Sequence, residues 1–282
     1  MPIITVITPV HDGGDAYLPE TYESIKAQIL PAGWSLQWVI QEDGEEGRAL
    51  ARHQELLSQP WISTGCGRPG GAARARTMGL LRAEGELIRT VDADDLLPDP
   101  KVLARDIRVL TEHPELGWVT ARCLDLMPDG TLLAGPNDPT PGRLPQRHLL
   151  DGAIGEGLPV MGTTSTIRTV IVRALGGWPA LPGYEDAALL LAAEAVSDGW
   201  MQDEVGELYR KHEGQSTKKA GYKNRDERNA RVQAAIERAE ELYRMGWRWS
   251  PKPAAAIPKS AGASRPALAE ELMDEAEHRA RA

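Results

Sequence analysis

Glu86-Leu87-Ile88-Arg89-Thr90-Val91-Asp92-Ala93-Asp94-Asp95 reads as a β-strand that empties into a cluster of acids. The run at 86–91 is too short for a helix, is rich in β-branched and aliphatic residues, and follows a glycine, which is the signature of a buried strand. In an open α/β sheet, ligands bind at the carboxyl ends of strands, because loops converge there and helix N-termini point at them. Several carboxylates on one rim are costly unless something positive binds among them. A divalent metal with oxygen ligands is the economical partner, and it brings with it the diphosphate it neutralises. Taken alone, Asp-x-Asp fits a solvated turn or a helix cap as well as a site. Its place at a strand end, with Leu96-Leu97-Pro98-Asp99 and a helix following, favours the site.

Working outward, the first third alternates strand-like and helix-like segments, the pattern of a parallel sheet flanked by helices. Residues 3–8 form a strand that stops at Pro9, and Leu18, Tyr22, Ile25 and Ile29 recur at helical spacing. Residues 36–41 give a second strand ended by Glu42-Asp43-Gly44, residues 47–57 a helix, and 61–63 a short strand. Gly-rich 65–71 leads into a helix at 72–83. Beyond the acids, 118–127 and 131–134 read as strands joined by the turn Pro128-Asp129-Gly130. A further strand is expected at 163–167 and helices at 184–197 and 224–247. Residues 250–266, rich in proline, form a linker, and 267–282 a charged helix whose thin stripe of Leu268, Leu272 and Ala276 is peripheral or a homodimer contact.

The chain carries 41 acidic against 32 basic side chains, a net charge of −9, which argues against a nucleic-acid partner. No apolar run approaches the roughly 18 residues that a membrane span needs, and the N-terminus has neither a basic region nor a cleavage site, so a cytoplasmic location is expected. Cys66 and Cys123 are too few for a disulfide framework and lack zinc-ligand spacing.

Five fragments occur in one order: ITVITPVHDG from residue 4, VIQEDGE from 39, GGAARARTMGLLRAEGELIRTVDADD from 70, GGWPALPGYEDAALLL from 176, and YRKHEGQST from 209. Together they resemble glycosyltransferase family 2, the inverting nucleotide-sugar transferases of the GT-A fold. The resemblance implies a Rossmann-like α/β fold with a mixed central sheet over residues 1–217, divided into a nucleotide-binding half (1–95) and an acceptor-binding half (96–217). A packing helix (218–249), the linker and the C-terminal helix would follow as an extension.

It also implies roles. Thr8 and Pro9 would lie beside the base, with Asp43 accepting a hydrogen bond from it; a turn is the bland reading of Asp43-Gly44. Arg76 would face the nucleotide, and Thr77 stands where the family usually has Asn. Asp92 would lie near the ribose and metal, Asp94 would coordinate Mn²⁺ or Mg²⁺, and His212 would sit near the diphosphate as a further ligand. Asp95 is expected to cap the following turn. Asp186 would be the general base that takes the acceptor hydroxyl proton, with Glu185 in support. Acids in the first turn of a helix also serve as caps, which is the plain alternative. Trp178 would line the acceptor pocket or simply pack. The donor would be a nucleoside-diphosphate sugar, most often a UDP-sugar in such proteins, and the acceptor an unidentified hydroxyl compound.

Three rivals were weighed. A sugar-1-phosphate nucleotidyltransferase would need a basic Gly-rich loop after the first strand, and HDGGDAYLPE has none. An Asp-x-Asp phosphatase would need its motif after that strand. A non-catalytic nucleotide-sugar-binding scaffold of the same fold would not need Asp186.

Overall fold

Strand β1 (Ile3–Val10) illustrates how the layers arise. Ile4 and Val6 point to one face of the sheet and Ile7 to the other, and the two faces are fully buried in different apolar clusters, as the two-residue period of a strand covered on both faces requires. The computed structural model describes residues 1–135, 138–218, 222 and 224–251. Residues Met1–Ser250 form one compact unit. In chain order it contains α1 (Leu18–Lys26), β2 (Ser35–Asp43), α2 (Arg48–Arg52), α3 (Gln54–Leu57), β3 (Ile62–Gly67), α4 (Ala72–Leu80), β4 (Leu87–Thr90), α5 (Val102–Glu112), β5 (Leu116–Leu126), β6 (Leu132–Ala134), β7 (Gly142–Arg143), α6 (His148–Ile154), β8 (Thr166–Arg168), α7 (Thr169–Ala174), α8 (Glu185–Val196), β9 (Asp198–Arg210) and α9 (Arg225–Met245).

The sheet has nine strands in the order β3-β2-β1-β4-β8-β5-β9-β7, with β6 paired to β5. The first four strands are parallel, β8 runs antiparallel between β4 and β5, and β9 is parallel to β5. This is the mixed sheet expected from the sequence. One apolar cluster joins Ile4, Val6, Trp38 and Ile40 to Leu18 and Ile25 of α1 and to Leu103 and Ile107 of α5. The other joins Ile7, Val39 and Trp118 to α8, α7, α6 and to Ile236 and Ala239 of α9. Nearly every residue of α8 is buried, because the sheet takes one side and α9 the other. A helix that is apolar all round has to be enclosed in this way.

Several boundaries differ from the sequence reading. The expected helix at 47–57 is broken at His53, whose backbone (φ −113°, ψ 16°) leaves the helical range, giving α2 and α3. Helix α1 ends at Lys26, and Ile29 is exposed rather than part of the buried stripe. The strand expected at 163–167 divides into a 3₁₀ turn, Gly162–Thr164, and β8. The 13-residue β9 was not anticipated. The linker beyond residue 251 and the helix at 267–282, with its proposed homodimer stripe, lie outside the described residues. Among the described residues no helix is long and apolar enough to cross a membrane.

Candidate active site

The carboxyl end of β4 carries the acids. Asp92 and Asp94 are partly exposed at this rim while Asp95 is fully buried, so successive residues of one turn meet different environments. Asp95 does not cap the following turn: its Oδ1 accepts the backbone N–H of Arg210 at 2.8 Å, tying the acid cluster to the end of β9. Its other oxygen has no partner, and burial, reinforced by the charge of Glu207, pushes its carboxyl well above the usual range.

The end of β9 supplies the opposite side of the rim. Nε2 of His212 lies 2.7 Å from Oδ2 of Asp94. Tyr17, in the loop after β1, packs edge-on to the His212 ring at 5.0 Å and lies under the Arg210 guanidinium at 4.3 Å. Arg210 also donates to the Asp94 carbonyl and to Glu20, both at 2.8 Å. Burial, then the neighbouring charge of Asp92, raises the Asp94 carboxyl above its ordinary value, against the pull of His212. An acid held near a like charge, with a histidine as its nearest counter-group, suits a bound cation. Asp92 is turned elsewhere, and among the described residues no group of three or more His, Cys, Asp or Glu side chains is arranged to hold a metal ion. Of the expected trio Asp92, Asp94 and His212, Asp94 and His212 lie together while Asp92 is bound to Arg76.

Asp92 is drawn away by Arg76. This arginine, on α4, is buried to 1% exposure. Its guanidinium reaches Asp92 at 2.5 Å, Glu185 at 2.7 Å and Asp186 at 3.0 Å. The side chain expected to face the nucleotide instead lies beneath the site, where one buried cation binds three carboxylates from two different parts of the chain. A fork of N–H donors suits it to this in a way that lysine could not match.

Asp186 is the second residue of α8. Its Oδ1 accepts the indole N–H of Trp178 at 2.7 Å, so Trp178, 5% exposed, holds this carboxylate rather than merely lining a pocket. Trp178 is in turn fixed to α4: its backbone N–H donates to Oγ1 of Thr77 at 3.1 Å, and that hydroxyl lies 3.3 Å from its carbonyl. Behind Asp186 sits Gly162, where a Cβ would come within 2.7 Å of the Ala187 nitrogen and 2.9 Å of the Asp186 Cβ. Burial pushes the Asp186 carboxyl up to about 8, with Arg76 opposing and the charges of Glu185 and Asp92 adding to the rise. That range is the one a general base needs near neutral pH.

The residues assigned to the base are divided. Thr8 is fully buried and its hydroxyl is used internally, donating to the Val91 carbonyl at 2.7 Å and accepting the Trp38 indole N–H at 2.8 Å. Its hydroxyl is thus committed to the fold on both the donor and one acceptor side. Pro9 is half-buried at the end of β1, and Asp43 accepts the backbone N–H groups of Gly70 at 2.6 Å and Gly71 at 2.9 Å, just ahead of α4. Gly162, Thr77, Arg210 and Tyr17 were missed as positioning residues. For Gly162 and Thr77 no local pattern signals the role, since the contacts span more than 20 residues; Arg210 stands within a fragment already singled out.

Residues 5–123 match the sequence family described as glycosyl transferase family 2. That match spans 119 of the 282 residues. The family segment carries Asp43, Arg76, Asp92 and Asp94, whereas Asp186 and His212 lie beyond it and are brought to it by the sheet. Over 119 residues the chain is 31% identical to the O-antigen biosynthesis protein RfbC of Myxococcus xanthus, covering 41% of the chain and 9% of that protein. It is 32% identical over 117 residues to the uncharacterized protein y4gI of Sinorhizobium fredii, 40% of the chain and 12% of that protein. The chain thus aligns with about a tenth of each curated relative. Among solved structures, S. aureus TarS 1-349 in complex with UDP-GlcNAc superposes with a TM-score of 0.66 at 16% identity, over 86% of this chain and 70% of that one. The mannosyltransferase PcManGT of Pyrobaculum calidifontis, in complex with GDP-Man and Mn²⁺, gives 0.53 at 18% identity over 97% and 79%. At such identities the likeness is one of fold, and that fold is GT-A.

Proposed function

We propose that this chain transfers a sugar from a nucleoside-diphosphate donor to an acceptor hydroxyl, with inversion and with a divalent metal. The observation that carries the reading is the buried Asp186 carboxylate, raised to about 8 and linked through Arg76 to the rim that bears Asp92 and Asp94. The acceptor oxygen attacks the anomeric carbon as its proton passes to Asp186, and the C–O bond to the diphosphate breaks on the opposite face. Trp178 and Arg76 fix the base's two oxygens. Asp94 and His212 fit as ligands for Mn²⁺ or Mg²⁺, which when bound would neutralise the departing nucleoside diphosphate. Pro9 and Asp43, at adjacent strand ends, are the remaining base-side candidates. TarS was solved with UDP-GlcNAc and PcManGT with GDP-Man, which makes UDP- and GDP-sugars the donors to try first, a UDP-sugar being the expectation from the sequence.

The test is calorimetric titration of UDP, GDP and dTDP with and without Mn²⁺, followed by nucleotide release from the matching sugar. Asp94→Ala should lose the metal-dependent part of binding. Asp186→Asn should bind normally and release no product, and a fully active Asp186→Asn protein would sink the mechanism.

A further inference from the structure

The turn that delivers the two acids of α8 is strained. Gly183 (φ 98°) and Tyr184 (φ 68°) are successive left-handed residues. A non-glycine residue in that region persists only where its surroundings hold it. Glu185 and Asp186 follow at once, so relaxation at Tyr184 would swing both carboxylates away from Arg76 and Trp178. Within the helix the Tyr184 carbonyl accepts the Ala188 N–H at 2.9 Å, but the Tyr184 side chain makes no capping bond.

A restraint on the turn ahead of α8 comes from α9, more than 100 residues beyond the family segment. Arg231 is buried to 4% exposure. Its Nη1 donates to the Pro182 carbonyl, its Nη2 donates to the Tyr222 carbonyl at 2.9 Å, and its guanidinium stacks on the Tyr222 ring at 4.5 Å. A Cβ on Gly183 would run into that ring and come within 3.0 Å of the Arg231 Nη1. Among the described residues Arg231 makes no ion pair, although burying an unpaired cation is expensive. Its partners are backbone carbonyls at either end of the contact, so what the cation secures is the path of the main chain.

Building on the reading of Asp186 as the base, we propose that Arg231 and Tyr222 form a clamp that positions the Pro182-Gly183-Tyr184 turn, and through it Asp186, for proton transfer. Arg231 touches neither acid and acts as a positioning residue.

Arg231→Met, Arg231→Lys and Tyr222→Leu test this with two readouts. The first is amide hydrogen exchange in the untreated full chain, which needs no substrate. Exchange in residues 183–190 should accelerate in Arg231→Met and Tyr222→Leu while α4 and β4 stay protected. Unchanged exchange in folded variants overturns the clamp. The second is nucleotide release from UDP-GlcNAc and GDP-mannose with Mn²⁺. Turnover should fall by about a hundredfold, the scale expected for an ångström of misplacement, with donor KM nearly unchanged. Arg231→Lys should recover part of it. Equal losses in turnover and donor affinity, or faster exchange with full turnover, would show a structural role only. If Arg231→Met does not fold, the half-buried Tyr222→Leu decides both readouts. A parent protein that turns over neither sugar refutes the transferase reading and the catalytic half of the proposal, and the exchange data still decide whether the clamp holds the turn.

Discussion

The indole N–H of Trp178 donates to Oδ1 of Asp186 at 2.7 Å, eight residues along the chain and across the start of α8. This bond favours the ionised carboxylate and so lowers its pKa. Trp178→Phe keeps most of the packing and removes the donor. Since hydrogen bonds to charged groups contribute about 1.5–3 kcal/mol, turnover should fall about 10- to 100-fold. In the proposed role Asp186 acts only when ionised, so activity should rise with pH through about 8 in the parent. In the variant that limb should move to higher pH, and a pH–rate profile with an unmoved limb would count against the assignment.

Arg76 is the common counter-charge of Asp92, Glu185 and Asp186. Arg76→Met would leave three carboxylates facing one another, and breaking a buried ion pair on one side costs about 3–5 kcal/mol. For a domain of this size that corresponds to a fall in Tm of about 6–20 °C. Arg76→Lys should restore little, because a single ammonium cannot reach all three partners. Differential scanning calorimetry of the two variants checks this.

At Gly162 the neighbouring atoms are the backbone of residues 186 and 187, which cannot swing aside as a side-chain tip could. Gly162→Ala should therefore displace Asp186, at an overpacking cost of about 1–3 kcal/mol. Nucleotide release should drop while calorimetric binding of nucleoside diphosphate persists. Normal turnover would show that the 3₁₀ turn yields instead.

Glu194, buried within α8, accepts the backbone N–H groups of Leu149 and Leu150 at the start of α6, at 2.8 and 3.0 Å. Burial nonetheless pushes its carboxyl up to about 7 from 4.5. The folded state then binds a proton that the unfolded state has released, so stability is greatest below the unfolded pKa and falls as pH rises from about 4.5 to about 7, by about 1.4 kcal/mol per pH unit for one such group. Glu207, also raised to about 7 by burial, adds a fall of the same sign. Urea unfolding at pH 5 and pH 8 should show a smaller loss in Glu194→Gln than in the parent.

The sequence disclosed the first four strands because each is a short apolar run cut off by a glycine, a proline or an acid, and the acids of the rim because they stand at those cuts. It concealed β9 for a physical reason. Gln202 and Glu207 point inward and are buried, and Gly199 and Gly206 make room for Trp118 and Ala121, so the strand lacks apolar alternation. The direction of Arg76 was hidden as well. Arg74 and Arg76 share one helix, yet one donates to the exposed Arg68 carbonyl and the other lies under the site, a difference set by α8, which approaches from more than 100 residues away. The burial of Thr8 was hidden too, because it depends on Trp38, whose indole reaches across from the neighbouring strand.

The sheet order has a consequence for any attempt to isolate the conserved-looking part of this protein. β8 stands between β4 and β5, and β9 stands beyond β5, so a fragment cut at residue 123 would contain β1 to β4 with the inner edge of β4 bare and a truncated β5 without β6, β8 or β9. Bare edges of that kind template pairing with other chains. Such a fragment should be recovered as aggregates, and the portion most recognisable by descent would be the portion least able to exist alone.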